Sequence, residues 1–463
     1  MRIPLVSALL AATALAGCFG GGGGGAPAAG VATRTAPAAQ RWPDRARYAL
    51  DLRYDADAYA LDGTERISFA NTGPAALRSV WLRAWANAYG SCGRPRAEVR
   101  VTAGGTAGGR REGCTALEVR LDRPLAPGAR AEVALAVRVS VPPRPDRFGR
   151  MGDIASFGNG IPLLAVADRG GWHLPPYTDR GESFFSLASA WQVRLRLARR
   201  LAVASTGTEQ GARDEGQERV VTLAAPHARD FALVIGPMAV RELRAGGIRF
   251  RRFTRPGASA RSARAALRTA RDSVFAYQKR FGPYGAPELD LVEGPSEVAN
   301  GGVAMEYPEL VLTPAWAPAL VHEVAHQWWF GIVGDDQYDE PWLDEAMAEY
   351  SAGSLPDRIG GPDRFSLCSK LPRRRPPLTA GMDVFAHRPT RVYSRAVYVA
   401  GGCALRRLER GLGRPRMDAF LRGLVASHRY GVLTTDEFVA ALRRAAPRGF
   451  NVDGWLRSAR IRP

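Results

Sequence analysis

The stretch Leu320–Tyr350, LVHEVAHQWWFGIVGDDQYDEPWLDEAMAEY, puts His322, Glu323 and His326 in an HExxH arrangement and Glu345 after a gap of eighteen residues. On a helix, residues four apart share a face, so both imidazoles can address one ion. Glu323, one residue past the first histidine, then sits beside that ion without binding it, placed to take a proton from water there. Two histidines and one carboxylate leave a fourth tetrahedral position open. That is the catalytic pattern for zinc, not the closed structural one.

A lone HExxH arises by chance on surface helices, and the surroundings argue against chance here. Ala319, Leu320 and Val321 precede the first histidine, and Trp328, Trp329 and Phe330 follow the second. Such a helix is expected to be buried, where two histidines and a glutamate are costly unless a metal satisfies them. The sequence therefore predicts one Zn2+ held by His322, His326 and Glu345, with Glu323 as the base.

At 463 residues the chain suits two domains, and its apolar content supports a sizeable core. The formal charge is +19, from 64 basic and 45 acidic residues, and all the basic ones but Lys279 and Lys370 are arginine. A charge of this size can indicate a polyanionic partner. The arginines are scattered, however, and no nucleic-acid motif accompanies them, so no nucleic-acid partner is expected. The one dense run, Arg373 to Arg375 in PRRRPP, reads as a solvated loop.

Met1 and Arg2 precede an apolar run, Ile3 to Ala16, too short to span a bilayer but suited to a secretory signal. It ends Leu15-Ala16-Gly17-Cys18, which resembles a bacterial lipobox and implies cleavage before Cys18 and lipid attachment to it. Residues 18–44, with the glycine run Gly20 to Gly25, read as a flexible tether. The expected location is the cell membrane, lipid-anchored on its extracytoplasmic face. Cys92, Cys114, Cys368 and Cys403 remain, an even number that favours disulfides in an exported chain. Proximity in sequence suggests Cys92 with Cys114 and Cys368 with Cys403.

From about Arg45 to Val240 apolar residues alternate, as in Tyr48, Leu50, Leu52 and Tyr54, or Val133, Leu135, Val137 and Val139. Turns are read at Asp62-Gly63 and Ala126-Pro127-Gly128. This predicts a β-rich domain over 45–243. The stretch Pro142 to Glu182, rich in Gly, Pro and aromatics, reads as long loops. Helical periodicity takes over in the second domain, 244–463. Helices are expected at Ser259–Arg280, Pro318–Val333, Pro341–Leu355, Ala396–Gly411, Pro415–His428 and Thr435–Ala445, with strands at Leu289–Val292 and Met305–Leu312. Thr434 to Glu437 reads as a helix N-cap.

Several stretches together resemble the M1 family of zinc aminopeptidases: HEVAHQWWFG from His322, WLDEAMAEY from Trp342, GGVAMEYPEL from Gly301, FGPYGAPELDLVEG from Phe281, VWLRAWANAYG from Val80 and TTDEFVAAL from Thr434. The resemblance implies an α+β multidomain protein, a β-rich N-terminal domain followed by a thermolysin-like, mainly α-helical catalytic domain. It implies zinc ligands at His322, His326 and Glu345, a general base at Glu323, and binding of the substrate's α-ammonium by Glu306. It also calls for a tyrosine hydroxyl at the oxyanion. Tyr398 has Gly401, Gly402, Leu405 and Leu408 in the family's register, although Ala400 replaces a lysine; Tyr393 has Arg395 at the lysine position but loses the later register. The register favours Tyr398. Two departures bear on specificity: Tyr307 stands where many members have asparagine, and no counterpart is apparent for the first-domain Gln or Glu that helps hold the amine. The expected activity is removal of N-terminal residues from peptides. Zinc endopeptidase or other hydrolase activity on the same fold, and a non-catalytic envelope lipoprotein, are the alternatives.

Overall fold

The computed structural model describes residues 41–293, 304–313, 317–360, 364–372 and 374–462. The signal segment, Cys18 and most of the tether lie outside the described residues, as do Gly301–Val303 and Arg373. Among the described residues no helix is long and apolar enough to cross a membrane.

Alternation builds the first domain as expected. The strands Asp44–Asp55, Ala60–Ala70, Ala97–Ala103, Arg130–Ser140, Ser189–Ala198, Thr208–Glu215 and Glu218–Ala228 form one seven-stranded sheet. Tyr48, Leu50, Leu52 and Tyr54 on Asp44–Asp55, and Val133, Leu135, Val137 and Val139 two strands away on Arg130–Ser140, turn one face into the core. Trp191 stacks on Tyr48 with ring centroids 3.9 Å apart, inside the same core. A four-stranded sheet carrying Leu77–Arg83 and Ala116–Leu125 completes that core. The Ala126–Gly128 turn is present, with Ala129 N donating to Ala126 O at 3.0 Å. Asp62-Gly63 is no turn. It lies inside the strand Ala60–Ala70, where a Cβ on Gly63 would come within 2.0 Å of the Asp51 carbonyl oxygen. Glycine is there for close approach of two backbones, a signal that looks the same as a turn in sequence.

The stretch expected as long loops contains five short strands, among them Phe148–Met151 and Ile154–Phe157, which pair with Leu233–Gly236 and Ala202–Ser205 in a further sheet. Runs of two to four residues are too short for periodicity to register.

The second domain opens with a sheet of Ala239–Ala245, Ile248–Thr254, Glu288–Val292 and Leu310–Leu312, the last three parallel. The boundary expected between residues 243 and 244 falls inside the first of these strands. Helix α1 (Ala260–Phe281) covers the sheet, and α2 (Ala317–Ala325) and α3 (Trp342–Gly353) follow. The C-terminal helices fall at Ala400–Leu412, Arg414–Ser427, Thr435–Ala445 and Val452–Ala459. Thr434 forms a reciprocal capping box with Glu437. Both disulfides are present, Cys92–Cys114 and Cys368–Cys403.

Two expected elements differ. The residues Met305–Leu312 do not make one strand: Met305 and Leu312 pair with each other across a turn, and only Leu310–Leu312 joins the sheet. The helix expected to Val333 ends at Ala325. Past it the backbone continues in wide turns, Gly331 N to His326 O at 2.9 Å, Ile332 N to Gln327 O at 3.2 Å and Val333 N to Trp328 O at 2.8 Å. Each spans five residues, not four, and Phe330 sits at φ 134°. The apolar run Trp328–Phe330 reads as helix in sequence because every one of its residues is buried, whichever way the backbone winds.

The two domains meet along a shared apolar seam in which Val234 and Met238 of one pack with Phe253, Val292 and Tyr307 of the other. A buried arginine crosses it. Arg229 donates to Phe330 O at 2.8 Å, to Ser186 O at 3.0 Å and to Gly431 O. It therefore donates to carbonyls on both sides, including one in the wide turns after α2. Replacing it with methionine keeps the stem and strands these acceptors, each worth about 1–3 kcal/mol when buried and unpaired. Arg229→Met is expected to lower unfolding stability by about 2–4 kcal/mol, read as a lower urea midpoint; an unchanged midpoint would refute the seam assignment.

Candidate active site

Helix α2 buries Leu320, Val321, Val324 and Ala325 completely, which fixes the opposite orientation of His322. His326 lies one residue beyond the helix but keeps its bond to His322 O at 3.3 Å. Its position is held by the aromatics that follow. Trp328 donates its indole N–H to Gly282 O at 3.0 Å, and Trp329 donates to Ser351 Oγ at 2.9 Å. Helix α3 brings Glu345 to face them, itself anchored where Trp342 donates to Thr435 Oγ1 at 2.9 Å.

Three donor atoms converge. His322 Nε2 lies 3.0 Å from His326 Nε2 and 3.1 Å from Glu345 Oε2, and His326 Nε2 lies 3.4 Å from Glu345 Oε2. The other ring nitrogens are already engaged. His322 Nδ1 donates to Glu349 Oε2 at 3.2 Å, and Glu349 accepts from Arg364 at 2.5 Å. His326 Nδ1 faces Asp344 Oδ1 and lies 3.1 Å from Trp329 O. With each Nδ1 donating outward, the two Nε2 lone pairs face one another and a carboxylate oxygen. Such a set is repulsive unless a cation lies between. Tetrahedral ligand bonds of about 2.0–2.2 Å separate their donors by roughly 3.3–3.6 Å, close to the spacing found. The residues fit zinc, and all three are at most 7 % exposed.

The electrostatics agree. Burial pushes the His322 pKa down, but its hydrogen bonds to the Glu345 and Glu349 carboxylates outweigh this and hold it at about 9. Burial raises Glu345, yet the two imidazoles pull it well below the usual carboxylate range. The pocket is thus built to attract positive charge. Glu323 is buried too; burial raises its pKa to about 7 even though His322 and His326 draw it down.

Tyr398 lies alongside. Its ring stacks on His322 with centroids 5.6 Å apart, and its hydroxyl donates to Glu345 Oε1. The helix delivers it through a π-helical segment, Arg395–Val399, inserted between Thr390–Ser394 and Ala400–Leu412. Tyr393 packs edge-on against Tyr398, 5.6 Å between centroids, and its buried hydroxyl has no hydrogen-bond partner among the described residues. Only Tyr398 touches a member of the metal set.

Glu306 sits in the turn between Met305 and Leu310, 3 % exposed. The turn is clamped to the end of α2: Gln327 accepts from Glu309 N at 2.8 Å and donates to Tyr307 O at 3.1 Å. Gln337 Nε2 donates to Glu306 Oε1 at 2.9 Å and to Asp344 Oδ2 at 2.6 Å, tying Glu306 to the support of His326. Burial, then the charge of Glu182, drives the Glu306 pKa well up.

Glu182 is the residue the sequence did not reveal. It comes from the first domain, is 6 % exposed, and pairs with buried Arg147 at 3.3 Å. Burial raises its pKa to about 8 despite Arg147. Its neighbour Gly181, at φ 85°, lets the loop lie against Tyr393, where a Cβ would approach the ring to 2.7 Å. Tyr307, the departure noted in the sequence, turns away from the pocket and donates to Asn159 Oδ1 at 3.2 Å; Asn159 in turn donates to Asp230. Asp344 and Glu349 were also missed, although both lie on the predicted helix beside or one turn from Glu345.

Residues 315–456 match the family model described as the Peptidase family M1 domain. Human aminopeptidase B is 24% identical over 213 residues, covering 39% of this chain, and the chain spans about a third (32%) of that relative's length. The M1 zinc metallopeptidase from Deinococcus radiodurans superposes with a TM-score of 0.67 at 17% identity, covering 92% of this chain and 95% of its own. A mutant of that peptidase bound to a Tyr-Ser-Ala substrate gives 0.64 at 18% identity, covering 91% and 95%. The fold is that of two-domain M1 metallopeptidases.

Since Glu349 and Asp344 hold the outer ring nitrogens of His322 and His326 and so orient the ligands, Asp344→Asn or Glu349→Gln is expected to weaken zinc binding by about 10–100-fold. Competition against a fluorescent chelator measures this. Stripping the metal should lower the melting temperature, and zinc should restore it; a melting temperature indifferent to zinc would reject the centre.

Proposed function

Because residues 315–456 carry a Peptidase family M1 domain, we propose that the protein is a zinc-dependent metallopeptidase that removes N-terminal residues from peptides. The observation that carries this reading is the placing of two buried carboxylates, Glu306 and Glu182, in one pocket with His322, His326 and Glu345.

His322, His326 and Glu345 would hold a divalent ion, which would supply a Lewis acid for the scissile carbonyl and for adjacent water. Glu323 accepts the proton from the attacking water and returns it to the leaving amine. A carboxylate raised towards neutral pH by its surroundings suits both halves of that task. The Tyr398 hydroxyl, already within hydrogen-bonding reach of Glu345, turns its proton to the developing oxyanion. Glu306 and Glu182 hold the substrate's α-ammonium. The charge of Glu182 raises the proton affinity of Glu306 when the pocket is empty, and a bound cation relieves that repulsion. An N-blocked peptide offers no such cation and leaves two buried carboxylates uncompensated, so it is rejected.

We also infer that the chain is lipid-anchored through Cys18 on the extracytoplasmic side of a bacterial membrane. The lipobox-like Leu15–Cys18 and the two disulfides, which persist in oxidising compartments, support this. Metabolic labelling with a fatty acid that persists in Cys18→Ala would exclude it.

Glu323→Gln is expected to keep zinc bound while kcat falls about 10²–10⁴-fold. Tyr398→Phe should lose about 10²–10³ in kcat with KM little changed, and Tyr393→Phe much less. Assays of free against N-acetylated peptides decide the exopeptidase reading: equal cleavage of the two would make the protein an endopeptidase.

A further inference from the structure

Where arginines converge elsewhere in the molecule, carboxylates meet them. Arg196 and Arg213 share Glu215, and Arg249 and Arg251 face Glu288 and Asp290. A third cluster differs: among the described residues, a cavity of about 580 Å³ is lined by five arginines, Arg374, Arg375, Arg388, Arg391 and Arg395, and by no acidic residue. None of the five makes an ion pair among the described residues. Pro376, Pro377, Val384 and Val392 supply the apolar part of the wall. Burial lowers the pKa of Arg375, and Arg460 and Arg407 lower it further, so the neighbourhood carries uncompensated positive charge.

The cavity is lined from elements that also carry residues of the site. Arg391 lies on the helix Thr390–Ser394 beside Tyr393, and Arg395 opens the π-helical segment that carries Tyr398 to Glu345. Arg180, two residues before Glu182, donates to the carbonyl of Arg388. The elements that present the tyrosines thus also present Arg391 and Arg395, and the loop before Glu182 is tied to Arg388. A concave, partly apolar pocket with several guanidinium forks suits carboxylates carried on a chain, which can reach in, more than a broad anionic surface.

We propose that this arginine-lined cavity binds acidic side chains of the peptide downstream of the bond that is cut, giving the enzyme a preference for peptides acidic after their N-terminal residues. The inference rests on the aminopeptidase reading above. It names a substrate class that the metal centre by itself does not select.

The test uses the zinc-loaded full chain and two hexapeptides with free N-termini, identical but for Asp-Asp against Asn-Asn at the third and fourth positions. Release of the N-terminal residue gives kcat/KM for each. The acidic peptide should be favoured about tenfold, and the gap should narrow as salt is raised. In the double variant Arg391→Gln, Arg395→Gln, both exposed positions that fold should tolerate, the ratio should fall towards one. In the Glu323→Gln protein, fluorescence anisotropy of the same labelled peptides should show the same preference as binding. An equal ratio in wild type and double variant overturns the proposal. So does loss of binding to phosphatidylglycerol vesicles in the double variant with the peptide ratio unmoved, which would make the cavity a membrane contact. If neither peptide is cleaved, yet the Glu323→Gln protein binds the acidic one through the arginines, the cavity assignment stands and the aminopeptidase reading falls.

Discussion

The interior of this protein gathers more negative charge than it can keep without help. Glu182, Glu306, Glu323, Asp344 and Glu345 are all buried around one pocket. Buried carboxylates remain ionised only when cations or donors face them. Some are answered within the chain: Arg147 stands against Glu182, and the imidazoles stand against Asp344 and Glu345. The remainder leaves room for positive charge from outside: a metal ion at one end and, on the proposed reading, a substrate ammonium at the other.

The two ends are mechanically linked. Gln337 spends its amide protons on Glu306 and on Asp344, and Asp344 in turn braces His326. Gln327, directly after the second histidine, clamps the turn that bears Glu306. The amine anchor and the metal set are therefore positioned by shared supports, and a displacement at one reaches the other through two side-chain amides.

Much of this was legible in the residues. His322, His326 and Glu345 declare themselves by spacing, because helical periodicity converts sequence separation into direction. The strands at Tyr48–Tyr54 and Val133–Val139 do so by alternation. What resisted reading lacks a period. Glu182 projects from an irregular loop of the other domain, and only the folded chain brings it to Glu306. The wide turns after Ala325 are invisible because buried aromatics suit any backbone winding. Gly63 misled as a turn because a glycine that admits a neighbouring backbone and a glycine that admits a positive φ carry the same letter. The π-helical segment that contains Tyr398 is hidden likewise, although the pairing of Tyr398 with Glu345 depends on it.

Arg229 binds carbonyls on both sides of the domain seam, and Asn159, Arg147 and Glu182 reach across it towards Tyr307 and Glu306. The candidate site is consequently not a portable module. A recombination event that exchanged the second domain alone would carry the metal ligands intact but leave behind Glu182 and the plug for a frayed helix end. The heritable unit of this chemistry is the pair of domains, and divergence at the seam has to proceed in matched steps.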